Sequence, residues 1–199
     1  MEWQLPALVV AIGYLLGSIP FGLVLTRLAG AGDLRSIGSG SIGATNVLRT
    51  GRKGLAAATV LLDGAKGAFA VWVGGQMLQE GGAALAGVFA FIGHCYPVWL
   101  RFRGGKGVAT MFGVSVALAW AVGLVFAIVW LGALALSRIS SLGGMSAAIS
   151  APLAALALGR NDLFPGLAAM AVVVIWRHRS NITRLLRGEE PRVGSSKQG

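Results

Sequence analysis

Two basic, glycine-rich runs are the residues of this chain best suited to chemistry. GSGSIGATNVLR spans Gly38–Arg49, and RFRGGKGVAT spans Arg101–Thr110. Glycines allow several backbone N–H groups to face one anion, and an adjacent arginine or lysine supplies positive charge. Both runs lie where an apolar segment ends, so they predict a site for phosphorylated molecules at a bilayer surface.

The first run matches the dinucleotide-binding spacing G-x-G-x-x-G, but that spacing has its meaning only between a strand and a helix. Here it follows an apolar segment of membrane length, which excludes a βαβ nucleotide fold. The guanidinium of Arg49 offers a planar fork that suits phosphate. Hydroxyl, amide and backbone donors complete the predicted anion site, which comprises Gly38, Ser39, Gly40, Thr45, Asn46 and Arg49.

The second run places Lys106 among Gly104, Gly105 and Gly107, directly before a predicted helix. Backbone N–H groups at a helix start, together with a lysine, bind phosphate well. The run is not a Walker A loop, because Leu100 and Gly107 occupy the places of its first glycine and its Ser/Thr. A nucleotide hydrolase is therefore not expected.

A third group of polar residues lies near the C-terminus. His178 and Asn181 are three residues apart, so on a helix they share a face, and both side chains hydrogen-bond to polyols or phosphate. The surrounding arginines also fit a basic amphipathic segment lying on anionic lipid. Ser140 and Ser141 form a short loop that would complete a phosphate site.

Ionisable residues also occur inside the apolar segments. Asp63 and Lys66 are spaced i, i+3, and a mutual ion pair is a sufficient explanation for their presence in a membrane span. His94 is interpreted as a structural hydrogen-bonding residue. Their roles in function stay open, as does the identity of a general base.

The composition is that of a polytopic membrane protein. Of 199 residues, 55% are hydrophobic and 12% charged, against about 25% charged in soluble domains. The net charge of +10 does not indicate nucleic acid, because the basic residues flank apolar segments, where they set orientation and attract anionic lipid. We expect one all-α domain over 1–199, a flexible tail over 188–199, no metal or cofactor, and no obligate protein partner.

The charge pattern predicts the topology. Apolar segments cover 5–28, 55–78, 83–100, 108–136, 142–158 and 163–176. The basic stretches 27–53, 101–106 and 177–197 should all be cytoplasmic. This requires 108–136 to form two short helices, broken near 120–123, which gives seven helices with the N-terminus outside and the C-terminus inside. The alternative of five helices would bury Asn161 and Asp162 in lipid.

Four of these stretches together resemble one family. GSGSIGATNVLRTG, LLDGAKG, GHCYPVWLRFRGGKGVAT and HRSNITRLLRGEEPR resemble the bacterial acyl-phosphate:glycerol-3-phosphate acyltransferases. The resemblance implies transfer of a fatty acyl group from acyl phosphate to the 1-hydroxyl of sn-glycerol 3-phosphate. The implied products are lysophosphatidic acid and phosphate. It also implies seven helices in the bacterial inner membrane and an active site facing the cytoplasm.

The same resemblance implies roles for individual residues. It makes Ser39, Arg49, Lys106, His178 and Asn181 the catalytic set, with a structurally important glutamate at Glu190. Ser41 stands where the family commonly has asparagine, which weakens any claim that position 41 holds substrate.

Two other function classes predict sequence features that this chain lacks. A transporter of phosphate or a phosphorylated solute predicts internal repeats, and none is visible in the sequence. An acyl-CoA-dependent acyltransferase commonly has a His-x4-Asp box, but Trp99 follows His94 and Thr183 follows His178 at that spacing.

Overall fold

The computed structural model describes residues 3–38 and 40–194, and within these ranges the regular structure is helical without strands. This confirms the predicted all-α class. The chain divides into two compact units, Met1–Trp120 and Ala121–Gly199. The assignment of 1–199 to a single domain stays a prediction.

The first unit contains six α-helices in its described part. They are α1 Gln4–Gly17, α2 Phe21–Leu28, α3 Ala44–Leu48, α4 Lys53–Met77, α5 Gly82–Cys95 and α6 Val108–Leu118. Single 3-10 turns, Leu34–Ser36 and Val98–Leu100, lie in the two long connections. Helix α7, Trp120–Ser137, begins at the boundary residue, and α8 Ser140–Ala157, α9 Phe164–Arg177 and α10 Arg179–Leu186 follow in the second unit.

Five helical stretches of the described chain are long and apolar enough to cross a membrane. They are Gln4–Leu28, Lys53–Met77, Gly82–Leu100, Trp120–Ser137 and Ser140–Ala157. Helices α6 and α9 are apolar but shorter, with 11 and 14 residues. A span needs about 17–25 residues, so length and composition alone support five crossings.

The long apolar segment 108–136 is interrupted. Helix α6 ends at Leu118, and Ala119 adopts an extended conformation with φ −157° and ψ 106° before α7 begins. The interruption lies one residue before the stretch 120–123 where the charge pattern placed it.

Small residues bring the helices of the first unit into close contact. A Cβ atom on Gly17 of α1 would lie 1.8 Å from the carbonyl oxygen of Ala90 in α5. A Cβ atom on Gly113 of α6 would lie 1.9 Å from the carbonyl oxygen of Gly64 in α4. Membrane helices associate through such contacts, because lipid provides no hydrophobic driving force between them.

A kink at Pro20 separates α1 from α2. Because α1 ends at Gly17 and α2 begins at Phe21, the carbonyls of Ser18 and Ile19 do not accept the N–H groups four residues further on. The Trp99 indole N–H donates to the carbonyl of Ser18 at 2.9 Å, and Lys66 Nζ donates to the carbonyl of Ile19 at 2.7 Å. These side chains satisfy carbonyls that would be costly to leave unpaired in a bilayer.

In the second unit, the chain after α10 returns to the turn between α7 and α8. The backbone N–H of Val193 donates to the carbonyl of Arg138 at 2.7 Å, and Arg138 Nη2 donates back to the carbonyl of Val193 at 3.2 Å. Hydrogen bonds therefore hold Gly188, Glu189 and Val193 to the second unit, and the flexible tail over 188–199 stays a prediction. Residues 195–199 lie outside the described part.

Candidate active site

The first glycine-rich loop is anchored on an apolar cluster. Its buried members are Leu23, Leu34, Ile42, Val47 and Ala56, contributed by α2, α3, α4 and the loop itself. Leu100, which precedes the second glycine-rich run, packs against the same cluster. Both basic loops therefore lie at one end of the first unit.

Asn46 shapes the first loop. Its side chain is buried, and Nδ2 lies 2.8 Å from the carbonyl oxygen of Leu34, 3.0 Å from that of Ile37 and 2.9 Å from that of Ser41, so its two hydrogens are shared among three acceptors. Irregular buried backbone needs such donors. The amide of Asn46 thus holds the loop together, and its contact with substrate stays a prediction.

Arg49 is exposed and lies across Gly38. Its Nη1 donates to Asn46 Oδ1 at 3.3 Å, and a Cβ atom on Gly38 would lie 2.1 Å from Arg49 Nη1. Gly38 and Gly40 have φ angles of +54° and +67°, which favour glycine. Thr45 is exposed at the start of α3. Ser39 lies outside the described residues, so its role stays a prediction.

The second glycine-rich loop packs against the end of α5. The N–H groups of Gly104 and Gly105 donate to the carbonyls of Cys95 at 3.2 Å and His94 at 3.0 Å. A Cβ atom on Gly107, which has φ +86°, would lie 2.1 Å from Phe91 Cε2. The amides of Gly104 and Gly105 thus pair with the end of α5, and their part in an anion cradle stays a prediction.

Lys106 is half-buried directly before α6. The first N–H groups of a helix have no partner within that helix. The start of α6 can therefore still present backbone donors beside a lysine, as the sequence predicted, although the two preceding glycines do not contribute theirs.

His178 and Asn181 are buried at the junction of α9 and α10. His178 Nδ1 lies 2.8 Å from the carbonyl oxygen of Val174. A carbonyl only accepts, so Nδ1 carries a proton, and in the neutral form of the ring Nε2 carries the lone pair. Asn181 Nδ2 donates to Glu190 Oε1.

Glu190 connects three segments of the second unit. Besides Asn181, it accepts from Ser141 Oγ at 2.7 Å and from Arg184 Nε at 2.7 Å. Burial raises the pKa of Glu190, but the hydrogen bonds from Asn181, Ser141 and Arg184 outweigh it and hold that pKa below its usual range. A hydroxyl has one hydrogen to donate, so Ser141 gives to this carboxylate the donor that the sequence analysis assigned to phosphate. Ser140 is half-buried beside it.

The predicted ion pair of Asp63 and Lys66 is present, with Nζ 2.7 Å from Oδ1. The sequence reasoning missed that His94 belongs to the same group, with its Nδ1 2.9 Å from Lys66 Nζ. The i, i+3 spacing indicates the pair, whereas no local signal brings residue 94 to residue 66. Within the described residues, no group of three His, Cys, Asp or Glu side chains is placed to hold a metal ion.

Comparisons with known proteins identify the family. A family model for glycerol-3-phosphate acyltransferase matches residues 7–188. A glycerol-3-phosphate acyltransferase of Erythrobacter litoralis (strain HTCC2594) is 58% identical over 198 residues, covering 98% of this chain and 99% of that protein. One from Novosphingobium aromaticivorans is 64% identical over 188 residues, covering 94% of this chain and 95% of its own.

Solved structures agree with these relatives. The crystal structure of PlsY (YgiH), an integral membrane glycerol 3-phosphate acyltransferase, in its glycerol 3-phosphate form matches with a TM-score of 0.89 and 38% identity. The match covers 95% of this chain and 96% of that chain, and the lysophosphatidic acid form matches with a TM-score of 0.86. This chain therefore belongs to the glycerol-3-phosphate acyltransferase family.

Proposed function

We propose that this chain transfers a fatty acyl group from acyl phosphate to the 1-hydroxyl of sn-glycerol 3-phosphate, releasing lysophosphatidic acid and inorganic phosphate. Family membership and the ligand-bound forms of the solved relatives support the acceptor and the product. The observation that carries the proposal is that Leu100, directly before the run that contains Lys106, packs on the same apolar cluster as the loop that leads to Arg49. Two cations at one end suit a reaction between two anionic substrates.

In this proposal, Ser39, Arg49 and Lys106 bind the phosphate groups, together with the first backbone N–H groups of α6. Arginine offers phosphate a bidentate fork, and lysine offers a compact charge. Holding the two reactants in line can lower the activation free energy by roughly 7–11 kcal/mol. Each preorganised donor at the developing charge contributes about 2.7–4 kcal/mol more.

His178 and Asn181 orient the glycerol moiety. The glycerol hydroxyl oxygen attacks the acyl carbonyl carbon directly, and the bond from that carbon to the phosphate oxygen breaks. The hydroxyl proton passes to His178 Nε2 or to the departing phosphate. The acyl chain lies in a groove between helices that opens to lipid.

The proposed placement is the bacterial inner membrane, with seven crossings, the N-terminus outside and the site facing the cytoplasm. Its support is the clustering of basic residues in 27–53, 101–106 and 177–197. Helices α6 and α9 then cross as short helices, which length alone does not require. A transporter is not favoured, because the relatives are acyltransferases across nearly the whole chain.

A donor comparison tests the proposal. Purified protein is given glycerol 3-phosphate with either palmitoyl phosphate or palmitoyl-CoA, and lysophosphatidic acid is quantified. We expect product from palmitoyl phosphate without coenzyme A. Product from palmitoyl-CoA alone would contradict the assigned donor, and uptake of glycerol 3-phosphate into sealed vesicles without product would favour a transporter.

A further inference from the structure

A fully buried polar cluster lies beneath the second glycine-rich loop. Asp63, Lys66 and His94 are 2%, 5% and 3% exposed. Lys66 Nζ lies 2.7 Å from Asp63 Oδ1, 2.7 Å from the carbonyl oxygen of Ile19 and 2.9 Å from His94 Nδ1. Lys66 Nζ thus hydrogen-bonds to the Ile19 carbonyl and to His94, whereas its contact with Asp63 Oδ1 is an ion pair without hydrogen-bond geometry.

The ion pair sets the roles in the contact between Lys66 and His94. With Lys66 as the ammonium partner of Asp63, Nζ donates to His94 Nδ1, and the proton of the neutral ring then sits on Nε2. A protonated His94 paired with Asp63 fits less well, because Nδ1 is 3.6 Å from Asp63 Oδ1, beyond hydrogen-bond distance. In this arrangement the Nε2 side of the ring faces away from Lys66.

The far side of that ring touches the loop that carries Lys106. A Cβ atom on Gly105 would lie 2.0 Å from His94 Nε2, and the His94 carbonyl accepts the Gly105 N–H at 3.0 Å. His94 thus holds Gly105 through both its ring and its backbone. Gly105 is the residue directly before Lys106.

We propose that Asp63, Lys66 and His94 are positioning residues for Lys106. The inference rests on the proposed function, in which Lys106 binds a substrate phosphate. Asp63 fixes the Lys66 ammonium, Lys66 fixes the rotation and tautomer of His94, and the ring fixes the backbone at Gly105. A buried ion pair contributes little net stability compared with apolar packing of the same volume, so holding the loop gives this cluster a purpose beyond the fold.

The main test removes the charges together. Breaking a buried pair singly leaves an uncompensated charge, whereas replacing both partners is often neutral, so Asp63→Asn/Lys66→Met separates positioning from folding. In the folded double variant we expect the KM for glycerol 3-phosphate to rise about 10- to 100-fold. We also expect faster hydrogen–deuterium exchange at residues 104–107. A folded variant with wild-type KM and unchanged exchange would overturn the inference.

A second variant keeps the test decisive if the double variant does not fold. His94→Asn retains an acceptor near the Nδ1 position for Lys66 but withdraws the ring from Gly105, so the same rise in KM is expected. Thr59→Val is the matched control, since Thr59 is buried on α4 and its hydroxyl donates to the Leu55 carbonyl of its own helix. The control should keep the wild-type KM.

Lys106→Ala, assayed in parallel, separates this inference from the proposed function. Wild-type KM and turnover in Lys106→Ala would contradict the proposed phosphate site itself. The other outcome is loss of activity in Lys106→Ala but a normal KM in the folded double variant and in His94→Asn. That outcome would contradict only the positioning role.

Discussion

At the scale of single residues, the position of Arg49 depends on a neighbour without a side chain. Gly38 has a left-handed backbone, and the guanidinium occupies the space where a Cβ atom would stand. Asn46 fixes the other side of the guanidinium through its Oδ1. The loop thus holds the guanidinium of an exposed arginine between Gly38 and Asn46, as the proposed phosphate-binding role requires.

Gly38→Ala tests this arrangement. We expect kcat/KM to fall about tenfold or more, because the methyl group displaces Arg49. Gly30→Ala is the control for backbone strain, since Gly30 has φ +64° and nothing within 4 Å of an added Cβ. The control should stay close to wild-type activity in a steady-state assay. Equal losses in both variants would mean that loop strain, rather than the placement of Arg49, matters.

The sequence predicted the residue types of the site better than their partners. Arg49 directly follows α3 and Lys106 shortly precedes α6, and their binding of phosphate stays a prediction. Other predicted donors hydrogen-bond within the protein itself. They are the side chains of Asn46 and Ser141 and the backbone N–H groups of Gly104 and Gly105. Sequence spacing shows that a donor exists, but it does not show which buried acceptor needs it.

At the scale of elements, the segment after α10 acts as a clasp on the start of α8. Glu190 accepts from Ser141 at one end and from Arg184 at the other. Because hydrogen bonding outweighs burial, the pKa of Glu190 lies below its usual range. Its stabilising contribution is therefore complete above the ordinary glutamate pKa and is lost as pH falls through the lowered one.

Glu190→Gln should consequently lower the midpoint of thermal unfolding at neutral pH. Hydrogen bonds to a charged group contribute about 1.5–3 kcal/mol, so the free energy of unfolding should fall by an amount of this order. The difference from wild type should shrink as the pH is lowered to about 3. Glu189→Gln, which removes the adjacent exposed carboxylate, should change the midpoint little. A Glu190 effect that persisted unchanged at low pH would contradict the clasp.

The break in 108–136 was predictable from the sequence, whereas the hydrogen bonding of 188–194 was not. The charge pattern predicted a break in 108–136, and α6 ends at Leu118 with Ala119 in an extended conformation. The clasp by residues 188–194 was not predictable in this way. A polar, glycine-containing terminus has no apolar periodicity, and its order comes from partners about fifty residues earlier in the chain.

At the scale of the whole molecule, helix length and the distribution of charge predict different numbers of membrane crossings. Five described stretches are long enough to span, whereas the distribution of basic residues requires seven crossings. The counts differ over α6 and α9, whose short apolar sequences carry no decisive length signal. The proposed seven-crossing topology therefore rests on where Arg and Lys concentrate rather than on hydropathy.

Thiol labelling tests the topology. In the seven-crossing arrangement, Asn161→Cys lies outside and should react with a membrane-impermeant reagent in intact cells. Gly54→Cys, at the cytoplasmic start of α4, should react only after permeabilisation. Wild type serves as the blank because Cys95 is buried. The five-crossing alternative places residue 161 in lipid, so failure of Asn161→Cys to react in either preparation would favour that alternative.

The most direct measurement of the central claim is turnover of palmitoyl phosphate and glycerol 3-phosphate by folded Arg49→Ala and Lys106→Ala protein. Arg103→Ala, an exposed cation in the same loop as Lys106, is the control for general loss of charge. We predict losses of about 100-fold or more in the two site variants and near-normal turnover in Arg103→Ala. Near-wild-type turnover in both Arg49→Ala and Lys106→Ala would contradict the proposed site.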